Sequence, residues 1–173
     1  MERCLQRRSK DATALHLASL ISESLGLYSR AVSFARRSAE LLEKAYDRSE
    51  DTRTARQYAI TQSTLGRILL SQGLYTEACA SFDVVLSLVD NDPEKSDPEA
   101  VQLRSQSYLA TGLANLLSDQ VETAISTLEV ALEEIPTSFS FLRTRITILL
   151  AQTMWMLGTE EAYEAAKSML LEW

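Results

Sequence analysis

Apolar residues recur along this chain at helical spacing. Leu65, Ile68 and Leu69 form one i, i+3, i+4 stripe, and Leu113, Leu116 and Leu117 form another. That is the period of a helix that buries one face. No comparable run alternates strictly between apolar and polar residues, so strands are not expected. Polar or glycine-bearing breaks separate the stripes. The clearest is Asn91-Asp92-Pro93-Glu94-Lys95-Ser96-Asp97-Pro98, a cluster of turn formers. Asp97 there reads as a helix cap and Pro98 as a first-turn residue. Pro136-Thr137-Ser138 closes one segment and opens the next. The pattern predicts eight helices in four pairs: 11–24 with 28–46, 52–72 with 75–90, 97–117 with 121–134, and 138–156 with 159–172.

The pairs repeat one another. Leu65-Gly66 is followed by Gly73-Leu74-Tyr75, then Glu77-Ala78, Phe82 and Val85-Leu86. Each interval has a packing reason. A small residue at Gly66 lets the two helices of a pair approach closely. Gly73 ends the first helix in a conformation other residues resist. Ala78 is small where helices cross, and Phe82 fills the space between pairs. Upstream, Gly26 and Tyr28 precede Gly73 and Tyr75 by 47 positions, and Ala31 matches Ala78. Downstream, Gly112 lies 46 positions after Gly66 and is followed by Ala124, Leu128, Ala131, Leu132 and Pro136. A fourth copy has Leu150-Ala151, then Gly158, then Ala165 or Ala166 after a one-residue insertion.

These intervals resemble those of the tetratricopeptide repeat. The resemblance implies an all-α fold, a right-handed α-solenoid of about four tetratricopeptide-like helix pairs. The spacing of 46 or 47 and then 39 residues exceeds the standard repeat of ~34, so the extra length is assigned to longer helices and to linkers near 46–54 and 91–98. The expected organisation is a basic N-terminal segment, 1–10, followed by a repeat domain, 11–173, with pairs at about 11–46, 52–90, 97–134 and 138–172. No pair buries its apolar face alone, so stability comes from stacked neighbours.

Composition agrees with long helices. The chain has 173 residues with only 5 Gly and 3 Pro, and turns and sheets need more of both. No stretch approaches the ~20 apolar residues of a bilayer span. The net charge of −7 argues against a general phosphate-binding surface. The charge is uneven: residues 1–67 carry net +4 and residues 68–173 net −11. Cys4 and Cys79 lie 75 positions apart and offer neither metal spacing nor a disulfide framework.

Chemistry finds little support. His16 is the sole histidine, and no Cys, Asp or Glu converges on it at ligand spacing. There is no phosphate loop, nucleophile elbow or metal motif. No catalysis, cofactor, metal or small-molecule substrate is expected. Cys79, beside Ala78, reads as buried filler. Met154, Trp155 and Met156 read as core and inter-repeat packing. The apolar run Met169-Leu170-Leu171-Glu172-Trp173 lacks the polar face of a capped end, which is expected of one piece of a longer superhelix.

The register assigns the inner face to His16 and Leu20, then Ser63, Thr64 and Arg67, then Leu109, Ala110 and Leu113. Chaperone adaptors of this fold clamp a carboxylate there with Lys, Asn and Arg. Only Arg67 suits an anion, so the clamp is absent. A mixed, partly apolar face that includes Ile148 suits a protein segment. The candidate partner-binding residues are His16, Ser63, Arg67, Tyr108, Leu109, Leu113 and Gln152. The alternative is an RNA-binding helical-repeat module using the basic first third: Arg3, Arg7, Arg8, Lys10, Arg36, Arg37, Arg53 and Arg56. It lacks interleaved aromatics, so direct nucleic-acid binding is not expected.

The runs Arg56-Gln57-Tyr58-Ala59-Ile60, Leu65-Gly66-Arg67-Ile68-Leu69-Leu70 and Gly73-Leu74-Tyr75-Thr76-Glu77-Ala78 carry a narrower likeness. So do Leu41-Leu42-Glu43-Lys44-Ala45-Tyr46, Tyr108-Leu109-Ala110-Thr111-Gly112-Leu113-Ala114 and Leu149-Leu150-Ala151-Gln152-Thr153-Met154-Trp155. Together, over roughly residues 41–171, they resemble the fungal tetratricopeptide scaffold subunits of the superkiller complex. That resemblance implies a protein scaffold with an RNA helicase and a WD40-repeat subunit as partners. It also implies a role in 3′-to-5′ mRNA decay and a cytoplasmic setting, with the nucleus as the alternative. The sequence departs from the repeat pattern where Asp119 stands in place of a glycine.

Overall fold

A computed structural model describes residues 2–94 and 96–171, with side chains described from residue 11 onward. Among the described residues the regular structure is helical: α1 (Glu2–Ser24), α2 (Tyr28–Ser49), α3 (Thr52–Ser71), α4 (Tyr75–Asp90), α5 (Pro98–Leu117), α6 (Val121–Glu134), α7 (Ser140–Leu157) and α8 (Glu160–Leu171). The fold is all-α, with successive helices packed as tetratricopeptide-like pairs. Two compact units divide within α5, residues 1–103 and 104–173.

Several helix bounds differ from the expected ones. α1 begins at Glu2, so its backbone runs through the segment assigned to residues 1–10; the side chains of that segment lie outside the described residues. α2 continues to Ser49, and the expected linker at 46–54 shrinks to Glu50 and Asp51. Nothing in Asp47-Arg48-Ser49 breaks a helix. The stop is Glu50, which turns left-handed at φ 46° while its N–H bonds the Tyr46 carbonyl. Asp51 then caps α3, its carboxylate accepting from the Thr54 N–H at 2.9 Å.

One turn recurs between the helices of a pair. After α1, the N–H groups of Gly26 and Leu27 bond the carbonyls of Glu23 and Ser22 at 2.9 and 2.8 Å. After α3, Gly73 and Leu74 bond Leu70 and Leu69 at 3.1 and 3.0 Å; after α5, Asp119 and Gln120 bond Leu116 and Asn115 at 3.2 and 2.9 Å. This doubly bonded cap satisfies carbonyls left over at the helix end. It needs a left-handed residue at its centre, and Gly26, Gly73 and Gly158 have φ of 72°, 75° and 74°. Asp119 adopts the same conformation at φ 62°. Aspartate tolerates that region better than most side chains, so the departure from glycine leaves the turn intact.

The close approach within a pair is visible at two glycines. A Cβ built on Gly66 would sit 2.8 Å from the Phe82 ring, and one on Gly112 would sit 2.8 Å from Leu128. Phe82 and Leu128 are fully buried, as are Ala31, Ala78 and Ala124 one turn earlier on their helices. Phe82 therefore packs against the partner helix of its own pair. The fourth pair departs from the expected register. Ala162 and Ala166 are buried and Ala165 is exposed, so α8 runs one residue early and carries no insertion.

In the first unit, Ala12, Ala39, Leu42, Tyr58, Ala59, Val85, Leu88, Val89 and Ala100 form one core. A buried hydrogen bond from Ser38 Oγ to the Ala12 carbonyl, 2.8 Å, ties α2 to α1. In the second unit, Arg143 on α7 donates to the carbonyls of Leu132 and Ile135 at the end of α6, the latter at 2.6 Å. That satisfies acceptors the helix end leaves open. Pro136 is exposed in the turn that follows.

Candidate interaction surfaces

The structure places His16 on α1, Ser63 and Arg67 on α3, Tyr108, Leu109 and Leu113 on α5, and Gln152 on α7. In the first unit His16 and Arg67 come together, and Glu23 joins them. Arg67 forks onto the Glu23 carboxylate, one of the two contacts measuring 2.8 Å. Arg67 is thus committed to a carboxylate of its own chain rather than open to an incoming anion. His16 is half-buried, and its Nδ1 has no hydrogen-bond partner. Burial, reinforced by the Arg67 charge, lowers its pKa below the usual imidazole value, so the ring is neutral at pH 7. Ser63 is half-buried beside them in sequence.

In the second unit the surface is apolar. Leu116, Ile148, Ala151, Gln152, Trp155 and Met156, with Ala166, Lys167, Leu170 and Leu171, line an open groove of about 720 Å³. Gln152 lies in this groove and Leu113 is exposed. Leu109 and Tyr108 are half-buried. Tyr108 stands in register with Gln62 and Thr147, both buried, so it belongs more to the packing of its pair than to an open face. Of the three residues expected in the core, Met154 is buried but Trp155 and Met156 are exposed. Trp155 makes an edge contact with Tyr163 of α8, ring centres 4.6 Å apart. The sequence signals that would have found this groove are the apolar ends of α7 and α8 read together.

Some basic residues of the first third are engaged in ion pairs. Arg36 on α2 pairs with Glu77 on α4. Arg56 donates to Asp92 and Glu94, both at 2.8 Å, fastening α3 to the segment after α4. The Asp92 side chain is nearly buried. The Arg56 hydrogen bond holds its carboxyl below the usual range. Arg3, Arg7, Arg8 and Lys10 fall among the side chains that are not described. Cys79 is half-buried, and burial together with Asp83 raises its thiol pKa, which leaves it a weak nucleophile. Among the described residues no group of three His, Cys, Asp or Glu side chains could hold a metal ion. No helix there is long and apolar enough to cross a membrane.

Repeated helix pairs, the shared left-handed turn and the small-against-large contact within two of the pairs define a tetratricopeptide-like helical-repeat array. The chain is similar throughout to Superkiller protein 3 of Schizosaccharomyces pombe, 26% identical over 172 residues, which is 99% of this chain. It is likewise similar to Superkiller protein 3 of Saccharomyces cerevisiae, 22% identical over 173 residues. It spans 12% of the length of each of these relatives. No protein-family model matches the chain.

Proposed function

We propose that this chain is a protein-interaction scaffold that binds a partner segment along the inner positions of its helix pairs, within a superkiller-type complex of cytoplasmic 3′-to-5′ mRNA decay. The observation that carries the reading is similarity to two Superkiller 3 proteins along the whole chain, on an array of helix pairs. The mechanism is binding by a preformed surface, with no bond made or broken. His16, Ser63 and Arg67 offer a polar stretch, and Leu109, Leu113 and Gln152 a more apolar one, with Tyr108 at its edge. Each stretch suits its own part of a protein segment, the second the aliphatic side of a partner helix or strand. An RNA helicase and a WD40-repeat subunit are the proposed partners.

The test is capture of these two partners by the tagged chain. Arg67→Glu with Leu109→Asp should abolish capture while helical circular dichroism is retained. Because Arg67 also holds Glu23, a second variant, Glu23→Arg with Arg67→Glu, restores an internal pair of reversed polarity. Lost capture with that variant places the partner on the charge of Arg67 itself. Retained capture by both variants would remove the inner positions from the interface. Direct RNA binding is the weaker reading, since Arg36, Arg56 and Arg67 are neutralised by carboxylates. No retention of RNA on a filter at low salt is the expected result.

A further inference from the structure

The segment between α4 and α5 carries one serine, Ser96, followed by Asp97, Pro98 and Glu99. Acidic side chains thus stand one and three places after its hydroxyl. No other Ser or Thr of the chain has both. Ser87 and Ser126 have the second alone, in Asp90 and Glu129, and both lie inside helices, α4 and α6. Ser96 lies outside the helices and is exposed. It sits in a turn that the Asp97 N–H closes on the Glu94 carbonyl at 2.8 Å. An exposed loop is where an enzyme can reach a side chain, and a cleft lined with basic groups recognises acidic side chains beside its target.

A phosphate on Ser96 would also find a basic partner within the first unit. Asp92 and Glu94, in the same segment, are both held by Arg56 of α3, at 2.8 Å each. The two bonds differ in kind. The Asp92 side chain is 5% exposed, and its other oxygen accepts from the Glu94 N–H at 2.9 Å, so this bond is built into the fold. The Glu94 side chain is 71% exposed, and an ion pair to such a group contributes little and exchanges easily. Arg53 joins Arg56, Glu94 and Glu99 in lining an open concavity of about 480 Å³. Ser96 lies between the last two in sequence. The serine is thus placed beside two guanidinium groups, one of them held by an exchangeable carboxylate.

We propose that Ser96 is a phosphorylation site for an acid-directed protein kinase, and that the phosphate takes Arg56 from Glu94. In the transfer the Ser96 Oγ bonds to the γ-phosphorus of ATP. The bond from that phosphorus to the β,γ-bridging oxygen breaks, ADP leaves with its electron pair, and the hydroxyl proton passes to the base of the kinase. The product carries between about −1.5 and −2 charges and three acceptor oxygens, where Glu94 offers one charge and two oxygens. Arg56 keeps Asp92 through its Nε and gives its terminal nitrogen to the phosphate. The new charge lies just before the first turn of α5, where a negative group is favoured. Phosphorylation therefore fastens the α4–α5 segment to α3 more firmly.

The test begins with the full chain, a purified acid-directed kinase and ATP, the modified residue being mapped by mass spectrometry. One phosphate on Ser96 is expected. Glu99→Gln, on an exposed side chain, should slow its incorporation by about tenfold. No phosphate, phosphate on Ser87 or Ser126 instead, or an unchanged rate with Glu99→Gln would overturn the site. The protein isolated from its source cells in phosphatase inhibitors should carry the same phosphate, and a wholly unmodified Ser96 there would overturn it too. Phosphorus NMR then reads the partner. The phosphate should titrate below its ordinary value of about 6, and Arg56→Gln should return it there. Should that variant fail to fold by circular dichroism, Arg56→Lys is the second one; it keeps the charge, loses the planar fork and should return the titration part of the way. A phosphate that titrates at its ordinary value in the wild type, or that neither variant moves, would overturn Arg56 as its holder.

Discussion

Gly66 and Phe82 illustrate how one atom sets the spacing of two helices. The missing Cβ on α3 is the space the Phe82 ring occupies. Gly66→Ala should destabilise the chain by about 1–3 kcal/mol through overpacking, and Phe82→Ala by about 3–5 kcal/mol through the void it leaves. The double variant should cost clearly less than the sum, since the new methyl enters the vacated space. Urea denaturation of the four proteins checks this, and strict additivity would show the two residues to be independent. Asp119 carries a conformational demand in place of a packing one. Asp119→Val should lower stability by about 1–2 kcal/mol, because a β-branched side chain resists the left-handed turn, while Asp119→Asn should be nearly neutral.

At the scale of the element, the helix ends hold most of the polar chemistry. Asp51 caps α3, and hydrogen bonds from Ser49 and Thr54 depress its pKa; Asp51→Ala should cost about 1 kcal/mol. Asp92, held low chiefly by Arg56, anchors the α4–α5 segment. Both carboxyls are more acidic folded than unfolded. Their contribution is complete above the unfolded value of about 3.9 and is lost as pH falls through the folded values. Thermal melts should therefore fall steeply below about pH 4. Asp92→Asn should be less stable at pH 7 and show a shallower acid decline; an unchanged acid slope would contradict the role given to the Arg56 pair.

The helix pairs and their turns could be read from residue spacing because the demands are local. A left-handed turn needs Gly or its equivalent, and a close crossing needs a small residue. The end of α2 was harder, since Asp47-Arg48-Ser49 has no breaker and only the backbone at Glu50 stops the helix. In α8 three alanines compete for one register, and packing selected Ala162 and Ala166. Exposure of Trp155 was not legible at all: its position in the repeat is the same whether or not another pair lies beyond it. The Arg67–Glu23 clasp joins residues 44 apart in sequence, so no local pattern announces it.

For the molecule as a whole, the division of charge takes on a physical form. Three of the basic residues of the first third, Arg67, Arg36 and Arg56, are clasped across helices by Glu23, Glu77, Asp92 and Glu94, which leaves less free positive charge than the sequence alone suggests. Raised salt should accordingly lower the melting temperature by a few degrees at most, as exposed pairs contribute little each, and RNA affinity should be absent near physiological salt. What remains open to partners is a surface of modest charge in the first unit and an apolar one in the second, which is the character of a protein scaffold. The measurement that bears on this most directly is affinity capture by the tagged chain from extract of its source cells, with wild type and the Arg67→Glu, Leu109→Asp variant side by side and partners identified by mass spectrometry. The account predicts an RNA helicase and a WD40-repeat protein with the wild type and neither with the variant; wild-type captures that lack both would contradict it.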